Sequence, residues 1–356
     1  MEQGRIRVKF LSKAQSADRD YERWLCRFPE YKPFWGKCEF IFDQDATEYD
    51  WLVVYDDLPR KPGDRKPLWE EELSCPRSRT LLITTEPSSI KLYGNSFLSQ
   101  FCWVLTSQEP SVIKHPRAIF RQAGLVWFYG MPGERASWDH MNRAETPEKT
   151  SVISTLCSSK QMAHTLHQSR YDFTQALKQR LPSLEIYGQG VRPIDNKADA
   201  LDPFRYHIAI ENHVCDHHWT EKLCDPFLGY SLPFYHGCSN AADYFPEDSF
   251  IPIDIHQFGE TLERIERAIR DDEWTKRLPA IREARRLVLE KYGTFQQLAS
   301  LIEERHPSTD GAVEGSILSR HLMRRSRPLD AIREGLSKFT LQTRNRLSFQ
   351  KFSEDS

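Results

Sequence analysis

The sequence predicts an α/β protein of two domains. Three features carry that prediction: β-type runs spaced through the first 130 residues, a second alternating strand and helix series after residue 149, and a length beyond what one core usually serves. The first-domain runs are "RIRVKFL" from Arg5, "YDWLVVYDDLP" from Tyr49, "RTLLITTEP" from Arg79, "QFCWVLTSQ" from Gln100 and "LVWFYG" from Leu125. Branched and aromatic side chains dominate them, as in strands buried on both faces. The polar segments between them are long enough for crossover helices, so the sheet should be mostly parallel.

The polar stretch "GERASWDHMNRAETPEK", from Gly133 to Lys149, separates the two series. Beyond it "TSVISTLCSS", "LEIYGQG", "RYHIAIEN", "SLPFYHG" and "SFIPIDI" read as strands, whereas "HQSRYDFTQALKQRL" and the shorter "TEKLCDPFLGY" read as helices. From Gly259 onward apolar residues recur at spacings of three and four, which predicts a helical extension. The expected divisions are 1–148, 149–305 and a basic amphipathic tail over 306–356. Ligands of open α/β sheets sit beyond the carboxyl ends of the strands, so the site is expected in a cleft between the halves.

Charge narrows the partners. Lys and Arg total 49 against 51 Asp and Glu, so the balance gives no whole-chain case for a nucleic-acid binder. Near the start only Val8 to Leu11 is apolar, with Lys9 inside the patch, and no other run approaches a membrane span. A cytoplasmic protein, peripheral at most to the inner membrane, is the expectation. Eight cysteines without a CxxC pair read as free thiols. From Arg320 to Lys351 nine Lys or Arg stand against two acids, interleaved with Leu322, Leu329, Ile332, Leu336 and Phe339. That pattern suits an anionic membrane surface, and equally a helix packed on the protein or a disordered tail.

The richest chemistry lies between Tyr206 and Gly237. After the strand "YHIAI" come Glu211 and Asn212, a loop, and Thr220-Glu221-Lys222 opening a helix. A helix start offers free N–H groups, and Lys222 adds a full charge, so a phosphate fits there. Glu221 could accept both hydroxyls of a ribose. An ordinary capped helix with solvated charges is the plainer alternative. His213, Cys215 and His217 alternate and, with Cys224, could form a zinc-like set, but the spacing matches no recurrent zinc motif, so no metal is expected. Asp56-Asp57 resembles the Asp-x-Asp of metal-dependent transferases without its middle residue, and loop capping is the expected role.

The ordered set "YHIAIEN", "TEKL", "GYSLPFYHG" and "YFPEDSFIPID" resembles the donor-binding half of glycosyltransferase family 10, the α1,3/4-fucosyltransferases, bacterial type, over about residues 150–256. In the first half the likeness rests mainly on "TTEP". The resemblance implies a GT-B fold, two Rossmann-like α/β domains facing a cleft, and inverting transfer of L-fucose from GDP-fucose to a glycan hydroxyl, with an α1,3-type linkage.

It further implies donor-binding roles for Arg170, Glu211, Asn212, His218, Glu221 and Lys222, with Arg170 on the diphosphate, Glu221 on the ribose and Lys222 on phosphate. Glu86 is implied as the catalytic base, although Glu-Pro-Ser stands here where the family has Glu-Ser-Pro. His218 and Trp219 stand where relatives carry tyrosine and valine, so the acceptor or the donor sugar could differ. No cofactor is required on this reading, a divalent cation being at most stimulatory. A GT-B enzyme using another nucleotide sugar and a non-catalytic glycan-binding protein stay open as alternatives.

Overall fold

The computed structural model describes residues 4–13, 20–61, 63–124, 126–158, 165–307 and 311–354. The chain packs into two compact units, Met1–Gly124 with Thr294–Thr340, and Leu125–Gly293 with Leu341–Ser356. That division falls earlier than residue 148, and it returns residues 294–340 to the first unit.

The first unit is built on strands β1 (Ile6–Ser12), β2 (Phe34–Trp35), β3 (Cys38–Ile41), β4 (Trp51–Tyr55), β6 (Thr80–Ile83), β7 (Trp103–Thr106) and β8 (Ala118–Phe120), with β5 (Glu70–Glu72) outside this sheet. Their order is β2-β3-β1-β4-β6-β7-β8, and only the β2–β3 pair is antiparallel. Val8, Phe10, Leu52, Val54, Leu82 and Val104 have no exposed surface, which is why these strands read as unbroken apolar runs.

Two expectations fail here. Leu125 lies outside the described residues, and the rest of "LVWFYG", residues 126–130, is irregular, with Trp127 and Tyr129 packed into the core of the second unit. A short buried linker and a buried strand need the same apolar composition, so pattern alone could not separate them. Among the described residues between β4 and β6 no crossover α-helix forms either; Pro59 and Pro67 oppose one, and β5 stands in its place.

In the second unit β9 (Ser151–Leu156), β10 (Leu184–Tyr187), β11 (Phe204–Ile210), β12 (Leu232–His236) and β13 (Ile251–Pro252) form a parallel sheet of order β10-β9-β11-β12-β13. Helix His167–Arg180 connects β9 to β10, and helix Glu221–Leu228 connects β11 to β12. Helices Phe258–Arg270 and Glu273–Leu287 follow; Leu262, Ile265, Ile281 and Ala284 face the core as the spacing predicts, and Arg285 is buried beside them, its guanidinium donating to the Leu228 and Met141 carbonyl oxygens.

Strand β14 (Ser316–Leu318) pairs antiparallel with β5, and helices Arg320–Ser326 and Pro328–Glu354 end the chain. Part of the expected tail is therefore structural. The Arg320 amide donates to Asp57 Oδ1 at 3.0 Å, and its guanidinium donates to the carbonyl oxygens of Leu92 and Tyr93. Leu329, Ile332, Leu336 and Phe339, by contrast, are each at least 61% exposed and recur along one helix face. Among the described residues, no helix is long and apolar enough to cross a membrane.

Candidate functional site

A pocket of about 320 Å³ opens in the second unit beyond the carboxyl ends of β9, β10 and β11. Its wall includes Ser158, His167, Arg170, Gly188, Lys197, Asn212, Glu221, Lys222 and Asp225. Such a place is where open parallel sheets hold ligands, because strands stop and helices start there. Gly188 makes close approach possible: its φ is +141°, and a Cβ on it would meet the Cys157 carbonyl oxygen at 2.5 Å.

Arg170 sits in the first turn of helix His167–Arg180. Its guanidinium donates to Asn212 Oδ1 at 3.1 Å and to the Leu156 carbonyl oxygen, while the Leu166 amide donates to the Asn212 carbonyl at 3.3 Å. The ends of β9 and β11 are thereby tied to one cation. Across the pocket, Thr220 caps the helix Glu221–Leu228, its hydroxyl accepting from the Lys222 amide at 3.3 Å. Lys222 Nζ lies 3.0 Å from Glu221 Oε1 and 3.5 Å from Glu211 Oε2.

Glu211 has no exposed surface and does not line the pocket. Its carboxylate accepts from the Thr220 amide at 2.7 Å and from the Thr220 hydroxyl at 2.9 and 2.7 Å, and the Tyr235 hydroxyl bonds it as well. This acid positions the cap from behind the pocket wall. Burial pushes its pKa up against the pull of Lys222. Glu221 behaves oppositely: burial alone would raise its pKa, but Lys222 and then Lys197 hold it down at about 2. A carboxylate so firmly ionised offers two strong acceptors to a ligand's hydroxyl groups.

Lys197, which no motif had singled out, is a third cation at the pocket. Its Nζ lies 3.3 Å from Asp225 Oδ2 and 3.9 Å from Glu221 Oε1. Asp225, 1% exposed, also accepts the Phe128 amide at 3.0 Å, and burial raises its pKa. Arg170, Lys197 and Lys222 therefore face Glu221 and Asp225 around one concavity next to two helix starts. That arrangement can neutralise a diphosphate while a carboxylate takes vicinal hydroxyls.

His218 lies away from this pocket. It is 6% exposed and packs edge-on against His213 at a ring separation of 5.7 Å. His217 has φ +64° and its Nδ1 lies 2.7 Å from the Tyr244 hydroxyl, while Trp219 packs on Tyr244, Phe245 and Tyr292. The aromatic substitutions in this loop thus serve packing. Of His213, Cys215, His217 and Cys224, the first two bring donor atoms within 4.8 Å of each other, whereas among the described residues His217 and Cys224 join no such group; within the second unit His236, Asp254 and His256 form one.

In the first unit, Glu86 follows β6 at the carboxyl edge of that sheet and is partly buried. Gln108 Nε2 donates to the carbonyl oxygens of Glu86 at 2.7 Å and Lys91 at 2.8 Å, and the Ile90 and Lys91 amides both donate to the Pro87 carbonyl. The turn is thus closed through its backbone. Asp57 caps its own loop, accepting the Leu58 amide at 2.9 Å. Asp56, with φ +73°, pairs with Lys13 and Lys91 and accepts the Tyr93 hydroxyl at 2.5 Å. Two lysines on this carboxylate oppose the role of a cation ligand.

Residues 146–275 match the profile described as glycosyltransferase family 10 (fucosyltransferase) C-term. No curated protein matches the chain. Among solved structures, an α1,3-fucosyltransferase is similar with a TM-score of 0.50 and 14% identity, covering 88% of this chain and 93% of that one. An α-glucosyltransferase in complex with UDP-glucose and DNA containing an abasic site is similar with a TM-score of 0.50 and 8% identity, covering 85% of this chain and 100% of that one. An α1,3-fucosyltransferase with GDP follows at a TM-score of 0.49 and 12% identity, covering 87% and 93%. The first two likenesses show the fold, that of the GT-B glycosyltransferases.

Proposed function

We propose, from the premise that this glycosyltransferase carries the family 10 C-terminal domain over residues 146–275, that it transfers L-fucose from GDP-fucose to a hydroxyl of a glycan acceptor with inversion at the anomeric carbon. In that step the acceptor oxygen attacks C1 as the bond from C1 to the GDP oxygen breaks. The proton passes to a base, and negative charge grows on the departing diphosphate. Arg170, Lys197 and Lys222 would take up that charge, and Glu221 would hold the ribose. Asn212 would fix the diphosphate through its contact with Arg170. Glu86 is assigned as the base, a role its place after a parallel strand of the first unit supports.

The observation that carries this reading is the meeting of those three cations and Glu221 at one pocket beyond the strand ends. Fixed cations act on the leaving group without a metal ion, so donor binding should survive chelation. His218 keeps only an indirect part, through the loop before Thr220. The linkage is proposed as α1,3. The exposed face of Leu329, Ile332, Leu336 and Phe339 supports contact with an anionic membrane surface near which glycan acceptors could be presented.

Titration of the full chain calorimetrically with GDP, UDP, ADP and CMP, each with and without EDTA, tests the donor. GDP-selective binding in both conditions is expected. Preference for another nucleotide would replace the donor sugar and keep the fold, whereas binding of none would sink the pocket as a donor site.

A further inference from the structure

A second cavity in the same unit, about 1170 Å³, lies between the ends of β12 and β13 and the two long helices, and the transfer reading leaves it unused. His236, Asp254 and His256 share its wall, and one donor atom from each lies within 4.8 Å of the others. We propose that these three residues bind a first-row divalent cation of the zinc type, with at least one coordination position open to the cavity.

The backbone builds the site. Register pairs Phe234 with Ile251 and Tyr235 with Pro252, so His236, the last residue of β12, comes level with the start of the loop after β13. That loop is held firmly: the Gln257 amide donates to the Asp254 carbonyl at 3.1 Å, and the Thr261 hydroxyl donates to the same oxygen at 2.7 Å. Asp254 Oδ1 accepts the His256 amide at 3.0 Å, which turns the chain so that both side chains reach the same place.

The tautomer of His236 is set as a metal ligand requires. Its Nδ1 lies 3.2 Å from the Ile253 carbonyl oxygen, which can only accept, and 3.9 Å from Asp254 Oδ1, so Nδ1 carries the proton and Nε2 is the nitrogen left to bind the metal. Metal-bound histidines are commonly oriented by such a bond from the other nitrogen to a backbone carbonyl. His256 approaches edge-on, its ring centroid 5.9 Å away.

Ligand atoms around zinc lie about 3.3 Å apart, given bonds of about 2.0 Å in tetrahedral geometry. Closing from at most 4.8 Å needs a shift of no more than about 1.5 Å, within rotamer reach of Asp254, whose side chain is 52% exposed. The local charge favours a cation, since Glu247, Asp248, Asp254, Asp271 and Glu273 line the cavity against three arginines. Two imidazoles and a carboxylate form the donor set of open zinc and iron(II) sites, and they differ from the all-oxygen sets that suit calcium or magnesium. None of the three lines the pocket that holds Arg170 and Lys222, so this site stands apart from the transfer reading.

The full chain, stripped with EDTA and dialysed, is titrated with Zn²⁺ in a calorimeter and with Co²⁺ in a spectrophotometer. One ion per chain is expected, with cobalt d–d absorption and no thiolate charge-transfer band. His256→Ala and Asp254→Asn should each weaken binding at least tenfold while the metal-free melting temperature stays near wild type, and Cys215→Ser should leave binding unchanged. Absence of stoichiometric binding, a thiolate band, or affinity untouched by both variants would overturn the proposal. The probe is the metal itself, so this result and the GDP titration can fail independently.

Discussion

The Glu211 carboxylate takes both the amide and the hydroxyl of Thr220 on one oxygen, at 2.7 and 2.9 Å, which fixes the end of β11 to the start of the helix Glu221–Leu228. Removing that acid strands a buried amide and leaves Lys222 short of a partner. Glu211→Ala should cost about 3 kcal/mol of stability and weaken GDP binding with it, whereas Glu211→Gln should lose less of both. Urea unfolding read beside calorimetry checks this; a loss of affinity with wild-type stability would assign Glu211 to the ligand itself.

Lys197 is the test of a residue that only the structure brings to the pocket. Lys197→Ala should weaken GDP binding about tenfold, equivalent to about 1.4 kcal/mol, and lower kcat further if the lysine meets charge that grows in the transition state. The variant also unpairs Asp225, so Lys197→Arg serves as the conservative control. Equal GDP affinity in wild type and alanine variant would remove Lys197 from the site.

Glu86 has a separable signature. Glu86→Gln should lower fucosyl transfer at least a thousandfold while GDP affinity stays within about twofold, because a base acts on the acceptor proton and not on the nucleotide. Radiolabel transfer and calorimetry on the same preparation decide it. Parallel loss of both would return Glu86 to a structural role in the turn clamped by Gln108.

Asp56 ties stability to acid. Burial would raise its pKa, but Lys91 and then Lys13 overcome that and hold it at about 2, below the ordinary 3.8. A depressed carboxylate stabilises the fold above its unfolded value, and that contribution is lost as pH falls through the folded one. Roughly 2 kcal/mol should disappear between about pH 4 and pH 2. Glu221 adds a loss of the same sign. Asp56→Asn should flatten part of the slope in urea midpoints measured across that range; an unchanged slope would deny the ion pairs their role.

The exposed helix face predicts adsorption. The full chain should sediment with vesicles containing phosphatidylglycerol and stay in solution beside neutral ones, and Leu336→Asp with Phe339→Asp should abolish the difference. Binding that ignores lipid charge, or survives both substitutions, would end the membrane reading.

Much of this was readable in the residues. Strands such as β4 and β6 announce themselves because a parallel sheet covered on both faces admits little but apolar side chains. Glu221 and Lys222 follow from a helix start after a strand, Arg170 and Asn212 from the likeness to family 10, and all four line one pocket. Glu211 and Asn212 are neighbours at a strand end, where successive side chains point to opposite sides. That alternation could have told the buried acid from the pocket amide. Lys197 was illegible because it lies in a short turn before β11, and only tertiary packing sets it against Asp225. His217 to Trp219 looked chemical in composition, yet burial against Tyr244 and Tyr292 makes the segment a packed loop.

The pairing of β14 with β5 has a consequence in time. Residues 70–72 leave the ribosome long before 316–318 exist, while the stretch 125–293 that holds the pocket is complete in between. Domains tend to fold as units as they emerge, so the stretch that holds the pocket should form its sheet before β5 has a partner strand, while Leu341–Ser356 join the second unit only at the end. During synthesis, each unit waits for a piece of the last segment made before it is whole.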